Sequence, residues 1–141
     1  MVYAPALKRI FWGEKELGAA QGTIEPGTTP MWTRLGVRPS PTDGVTVVAS
    51  RSHRDEATED YLKSVKVKSL CSAGSSLKFC LIAAAEADLY PRFGRTMEWD
   101  TAAGHAVLLA AGGKVMTVEG PVLAYGKRKR GYDNPGFIAS A

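Results

Sequence analysis

From Val45 onward the chain alternates between two hydrophobic periods, and this alternation restricts its fold more than any other feature. Residues 45–49 form a β-branched run with strand period, 55–63 have the spacing of a polar helix, and 65–71 return to a strand. The rhythm continues with a helix over 76–86, a strand over 88–93, a helix over 101–111 and a strand over 114–118. Strands and helices in strict alternation bury their apolar faces only as a sheet covered by helices, which predicts a layered α/β fold. The first residues have a different texture. Val2-Tyr3 and residues 8–12 read as short strand pieces around Pro5, and Gly13-Glu14-Lys15 turns into a further strand ending near Gln21. Pro26-Gly27-Thr28-Thr29-Pro30 and Arg38-Pro39-Ser40-Pro41-Thr42-Asp43-Gly44 carry loop chemistry. The second places a seam near Gly36, dividing residues 1–36 from residues 37–141.

At 141 residues with 45% hydrophobic content, the chain suffices for one core and is short for two ordinary domains. Its net charge of +4 is modest. The basic cluster Lys127-Arg128-Lys129-Arg130 lacks interleaved aromatics, so it reads as a solvated loop and not as a nucleic-acid surface. Weak peripheral attraction to anionic lipid headgroups is the other reading, and without an amphipathic helix it would be reversible. Cys71 and Cys80 have no zinc-ligand spacing and read as buried small hydrophobes in a reducing compartment. The start of the chain has no basic-then-apolar leader, and no stretch of about eighteen apolar residues occurs, so a cytoplasmic protein without an integral membrane segment is expected.

Three segments carry candidate chemistry. In Glu98-Trp99-Asp100-Thr101-Ala102-Ala103-Gly104-His105, Asp100 reads as the N-cap of a helix whose small residues let a ligand approach the backbone. The positive helix end favours an anion there. The apolar run to Ala111 predicts a helix buried on most sides, stopped by Gly112-Gly113. By pattern alone, the favoured reading is Asp100 as an ordinary cap and Trp99 as a core aromatic. Ser50-Arg51-Ser52-His53-Arg54 gathers hydroxyls, guanidinium groups and an imidazole at a strand end, where open α/β sheets bind ligands, although Ser52 also suits a helix cap. Gly74-Ser75-Ser76-Leu77-Lys78 opens a helix and offers backbone N–H groups, a hydroxyl and a lysine to an anion, or merely a cap and a solvent-facing lysine.

Trp99-Asp100-Thr101-Ala102-Ala103-Gly104 resembles the C-terminal signature of the magnesium-dependent, lithium-sensitive phosphatases of the inositol monophosphatase family. The flanking Ala87-Asp88-Leu89-Tyr90-Pro91-Arg92-Phe93 and Asn134-Pro135-Gly136-Phe137 are similar to the 3'(2'),5'-bisphosphate nucleotidase branch. The resemblance implies a layered α/β sandwich of that family's type, of which the chain carries the C-terminal half. Residues 1–36 would then be trailing strands of the N-terminal metal-binding subdomain, and 37–141 the C-terminal α/β subdomain. It implies Mg²⁺ as cofactor, and adenosine 3',5'-bisphosphate, a by-product of sulfate assimilation, as the substrate hydrolysed to AMP and phosphate. Asp100 would bind metal and touch substrate, while His53, Ser75, Lys78 and Arg92 would hold the nucleotide.

The family's remaining metal ligands lie in a Gly-Glu-Glu element and an Asp-Pro-x-Asp-Gly-Thr element, and neither occurs in this sequence. Ser40-Pro41-Thr42-Asp43-Gly44-Val45 departs from the second at its leading aspartate and closing threonine, and reads as a loop. The resemblance therefore implies a chain that begins inside the enzyme and is inactive alone. Trailing strands with an open edge would favour self-association. The alternatives are a non-catalytic nucleotide- or phosphate-binding module and, within the family, an inositol or sugar monophosphatase.

Overall fold

A computed structural model describes residues 1–49 and 55–141. Strands β1 (Val2–Ala4), β2 (Arg9–Glu14), β3 (Gly18–Thr23) and β4 (Trp32–Leu35) form an antiparallel sheet in the order β1-β2-β3-β4. The turn before β3 falls at residues 15–17 and leaves Gly13 inside β2. A Cβ on Gly13 would stand 2.7 Å from the Val107 Cα, so this position serves close packing of the sheet on a helix.

The second sheet alternates as the sequence predicts. Strands β5 (Val45–Ala49), β6 (Val67–Ser72) and β7 (Leu89–Arg92) are parallel in the order β6-β5-β7. They are joined by helices α1 (Glu56–Lys63) and α2 (Leu77–Ala83). The path from β5 to β6 and back past β5 to β7 reverses direction, so right-handed crossovers place α1 and α2 on opposite faces. Asp55 caps α1 in the role that Ser52 could have filled, its carboxylate accepting the Thr58 N–H at 2.9 Å. Helix α2 stops earlier than its apolar pattern, with Ala85 in a left-handed conformation (φ 59°) that turns the chain into β7. After β8 (Thr96–Met97) and α3 (Glu98–Ala110) come β9 (Lys114–Thr117), β10 (Asp133–Asn134) and β11 (Phe137–Ser140). β11 inserts antiparallel between β7 and β9, and β10 pairs with β8 as a separate ribbon.

Helices α2 and α3 lie between the two sheets and share one core with both. Phe11, Ala19 and Leu35 of the first sheet join Phe79, Ile82, Val107, Leu108, Val115 and Phe137. The Phe79 ring stacks on Phe137 with centroids 5.7 Å apart and meets Tyr90 edge-on at 5.3 Å. In the loop after β4, the Arg38 guanidinium donates two hydrogen bonds to the buried Asp88 carboxylate, at 2.7 and 2.8 Å. These bonds hold that carboxyl below the usual range. Cys80 is buried, whereas Cys71 is only half-buried. Among the described residues, no helix is long and apolar enough to cross a membrane.

Helix α3 departs from expectation in its burial. Its buried stripe runs through Glu98, Thr101, Gly104, His105, Val107 and Leu108, while Trp99, Ala102, Ala103, Ala106 and Leu109 are exposed. It is thus half-buried and not buried on most sides, because its partners, α2 and the two sheets, cover only one flank. Its end is as predicted: Gly112 takes φ 92°, and the N–H groups of Gly112 and Gly113 donate to Leu109 O and Leu108 O, a Schellman closure.

The tightest helix contact is at Gly104, where a Cβ would lie 2.7 Å from Phe79 Cδ2 and 2.9 Å from the Ser76 carbonyl oxygen. Since one neighbour is backbone, the clash cannot be relieved by a rotamer change. Gly104→Ala is expected to destabilise the fold by about 1–3 kcal/mol in urea unfolding despite the gain in helix propensity. Stability equal to the parent would show that the two helices can part at little cost.

Candidate functional site

The three parallel strands deliver their C-terminal ends to one edge of the sheet, and the loops leaving β6 and β7 meet the first turn of α3 there. A cleft of about 380 Å³ opens between them, with Ser75, Lys78, Arg92 and Asp100 in its wall together with Thr96 and Thr101. The structure therefore brings four of the five sequence-predicted site residues to one cavity. The fifth, His53, lies outside the described residues.

Lys78 is the most perturbed of these groups. Only 4% exposed, it sits on the buried flank of α2, with its Nζ 4.9 Å from the Tyr90 ring centre and donating to Ser75 O at 3.3 Å. Loss of water, aided by the neighbouring Arg92, pushes its pKa down to about 8. It is therefore not the solvent-facing lysine that the pattern alone allowed. Ser75 adopts a left-handed conformation (φ 48°), and Ser76, not Ser75, precedes the first residue of α2. The Ser76 hydroxyl donates across to the Asp100 carbonyl oxygen at 2.9 Å, tying the two helix starts together. Arg92 donates from Nε to Gly94 O and from Nη2 to Arg95 O, at 3.1 and 3.2 Å, which shapes the turn after β7.

Asp100 is the third residue of α3 and not its cap. The first residue, Glu98, turns its carboxylate to accept the N–H groups of Gly126 and Lys127, at 3.0 and 2.9 Å. It also pairs with Lys127 Nζ at 2.8 Å, and these contacts push the Glu98 pKa down to about 2. Asp100 Oδ2 reaches back to accept the Met97 N–H at 2.8 Å, so the side chain still satisfies the helix start. Trp99 is no core aromatic: it is 66% exposed and faces Tyr132. The small residues also divide their tasks, since Gly104 packs against α2 while Ala102 and Ala103 are exposed.

The sequence assigned no site role to Thr96, Thr101 or Asn134, although Thr101 and Asn134 lie in the motifs that carry the resemblance. Asn134 is buried and donates from Nδ2 to both threonine hydroxyls, at 3.2 and 3.1 Å. Nothing near it in sequence signals this, because its partners lie 38 and 33 residues away. Among the described residues, no three His, Cys, Asp or Glu side chains gather to hold a metal ion. Mg²⁺ prefers hard oxygen ligands, and Asp100 suits one ligand position, but a two-metal site needs further carboxylates. Among the described residues, Asp100 by itself does not make up such a donor set.

A cation-lined cleft at the C-terminal edge of a parallel sheet, beside a single carboxylate, has the composition of a phosphate-handling α/β protein. The inositol monophosphatase family model matches residues 1–141, and the chain belongs to that family. It is 42% identical over 137 residues to the 3'(2'),5'-bisphosphate nucleotidase CysQ of Salmonella typhimurium, covering 97% of this chain and 52% of that protein. Over 96 residues it is 53% identical to CysQ of Buchnera aphidicola, covering 67% of this chain and 36% of that one. The crystal structure of CysQ from Bacteroides thetaiotaomicron superposes with a TM-score of 0.82 at 36% identity, over 99% of this chain and 56% of the other. The chain thus spans about half the length of the full-size relatives it matches.

The burial of Lys78 bears on stability. Its folded pKa of about 8 lies below the ordinary 10.5, so the folded chain holds fewer protons between these values and stability rises with pH across that window. Below about 8 the buried ammonium carries its full cost. Lys78→Met should therefore gain on the order of 1–3 kcal/mol at neutral pH in urea unfolding. Anion affinity in the parent should fall as pH rises through about 8, and the variant should lose that dependence. A variant less stable than the parent would contradict the burial argument.

Proposed function

We propose that this chain is the substrate-binding half of a Mg²⁺-dependent phosphatase of the 3'(2'),5'-bisphosphate nucleotidase type. Such an enzyme would hydrolyse the 3'-phosphate of adenosine 3',5'-bisphosphate to AMP and phosphate in the cytoplasm, on the nucleotide left by sulfate assimilation. The observation that carries this reading is the meeting of Ser75, Lys78, Arg92 and Asp100 in one cleft, at the positions where the sequence resembles the nucleotidases. Lys78 and Arg92 supply positive charge against the substrate phosphate, the desolvated lysine acting more strongly than one in water. Ser75 contributes a hydroxyl on a turn whose backbone is already fixed. Asp100 would hold a Mg²⁺ ion, which when bound polarises a phosphoryl oxygen. His53 takes its place at the nucleotide from the family resemblance alone. On the same reading, residues 1–36 belong with the metal-binding subdomain.

One observation favours a second reading, a binding module without chemistry: among the described residues Asp100 stands without a cluster of further metal ligands. Calorimetry with adenosine 3',5'-bisphosphate, run beside a phosphate-release assay with and without Mg²⁺, separates the two. The expected result for the chain alone is binding without turnover above an Asp100→Asn control. Mg²⁺-dependent release lost in Asp100→Asn would show that this chain completes a metal site by itself. No binding, or preference for an inositol monophosphate, would overturn the nucleotide reading.

We also propose self-association through the first sheet. Tyr3, Ile10, Gly22 and Trp32 form one cross-strand row on the face opposite Phe11, and Tyr3, Trp32 and the adjacent Met31 are exposed. An apolar face beside an open β4 edge fits a second copy of the chain. Sedimentation velocity should show concentration-dependent dimers or larger species, reduced by Trp32→Lys; a monodisperse monomer would refute this.

A further inference from the structure

From the cleft wall runs a line of hydrogen-bonded polar side chains, of which Thr101, His105 and Asn134 are buried. Thr101 Oγ1 gives its one hydrogen to Glu98 O at 3.2 Å, so it only accepts from Tyr125 Oη at 3.3 Å and from Asn134 Nδ2 at 3.1 Å. The tyrosine hydrogen is thereby committed. In this arrangement the 2.8 Å contact between Tyr125 Oη and His105 Nδ1 is satisfied by a neutral ring carrying its proton on Nδ1. Burial lowers the pKa of His105, which favours this neutral form. The same accounting orients the Asn134 amide, because Thr101 has no hydrogen left to offer an amide oxygen. The second Nδ2 hydrogen of Asn134 goes to Thr96 Oγ1 at 3.2 Å, across the β8–β10 pairing that sets these two residues opposite each other.

The line ends at the cleft wall. Thr96 accepts from Asn134 and keeps its own hydrogen, and it lines the same cavity as Lys78, Arg92 and Asp100. We infer that Thr96 is a further substrate-binding residue, whose hydroxyl donates to a phosphoryl oxygen in the cleft, and that the buried Asn134 is its positioning residue. The inference rests on the phosphate reading of the cleft. A hydroxyl whose acceptor role is occupied by a buried amide is biased toward donation. It therefore favours a ligand that only accepts, such as a phosphate dianion, over a neutral hydroxyl group.

The test is calorimetry of the chain with adenosine 3',5'-bisphosphate at neutral pH. Thr96→Val keeps the side-chain shape and removes the hydroxyl, and should weaken binding about tenfold or more, as expected for a lost hydrogen bond to a charged group. Thr96→Ser should restore most of that loss. Asn134→Leu should weaken binding several-fold in the parent and add little in the Thr96→Val background, as coupled residues do. If Thr96→Val binds like the parent while Lys78→Met does not, the role of Thr96 is refuted and the cleft reading stands. If the parent does not bind, or Lys78→Met binds as well as the parent, both fall. Should either substitution at these sites fail to fold, the Asn134 side-chain amide resonances of the parent are followed during titration. A shift saturating with the ligand supports the inference, and unmoved resonances overturn it.

Discussion

The arrangement of this site depends on the close approach of α2 and α3 at Gly104. With hydrogen in place of a side chain, Phe79 and the Ser76 backbone press against α3. One turn back, the Ser76 hydroxyl bonds the Asp100 carbonyl oxygen. The two helices therefore begin side by side, so that Ser75, just before α2, Lys78 in its first turn and Asp100 in the first turn of α3 share a rim. Small residues in this segment look on paper like room for a ligand. In the fold the glycine is room for a phenylalanine, and the cleft lies beyond the helix starts.

The polar groups of the cleft are placed at an energetic cost. Lys78 is buried without a carboxylate partner, held by a carbonyl oxygen and the face of Tyr90. Such a group lowers the stability of the native state while presenting a partly desolvated cation to the cavity. The first turn of α3 is fixed from behind by the hydrogen bonds that Glu98 accepts from the 126–127 loop and by the contacts of Thr101 with Tyr125 and Asn134. The loop after β9 thus serves the site without entering it. These contacts fix the cleft wall from the side away from the cavity, in a chain that spans about half the length of its full-size relatives.

Where the sequence was legible, a local rule applied. The β-branched run at Val45 and the alternation after it produced β5, α1, β6, α2 and β7 within a few residues of the expected limits, because period and burial agree there. The signature around Asp100 pointed to a cleft residue, although its cap role belonged to a helix that starts three residues sooner than its apolar run. Strands β4, β8, β10 and β11 were not anticipated. β8 and β10 are two residues each, and β11 exists because it fits between β7 and β9, a pairing across long sequence separation.

The sequence by itself determined the α/β class, the family to which the chain belongs and the residue types of the candidate site, since these reside in local periodicity and contiguous motifs. Tertiary structure alone decided that Lys78 is buried and not solvent-facing, that Trp99 is exposed, that Gly104 serves packing, and that Asn134 reaches Thr96 and Thr101. Each of those outcomes depends on which surface of a helix or strand another element covers. That coverage is set by contacts between residues far apart in the chain, which no local pattern encodes.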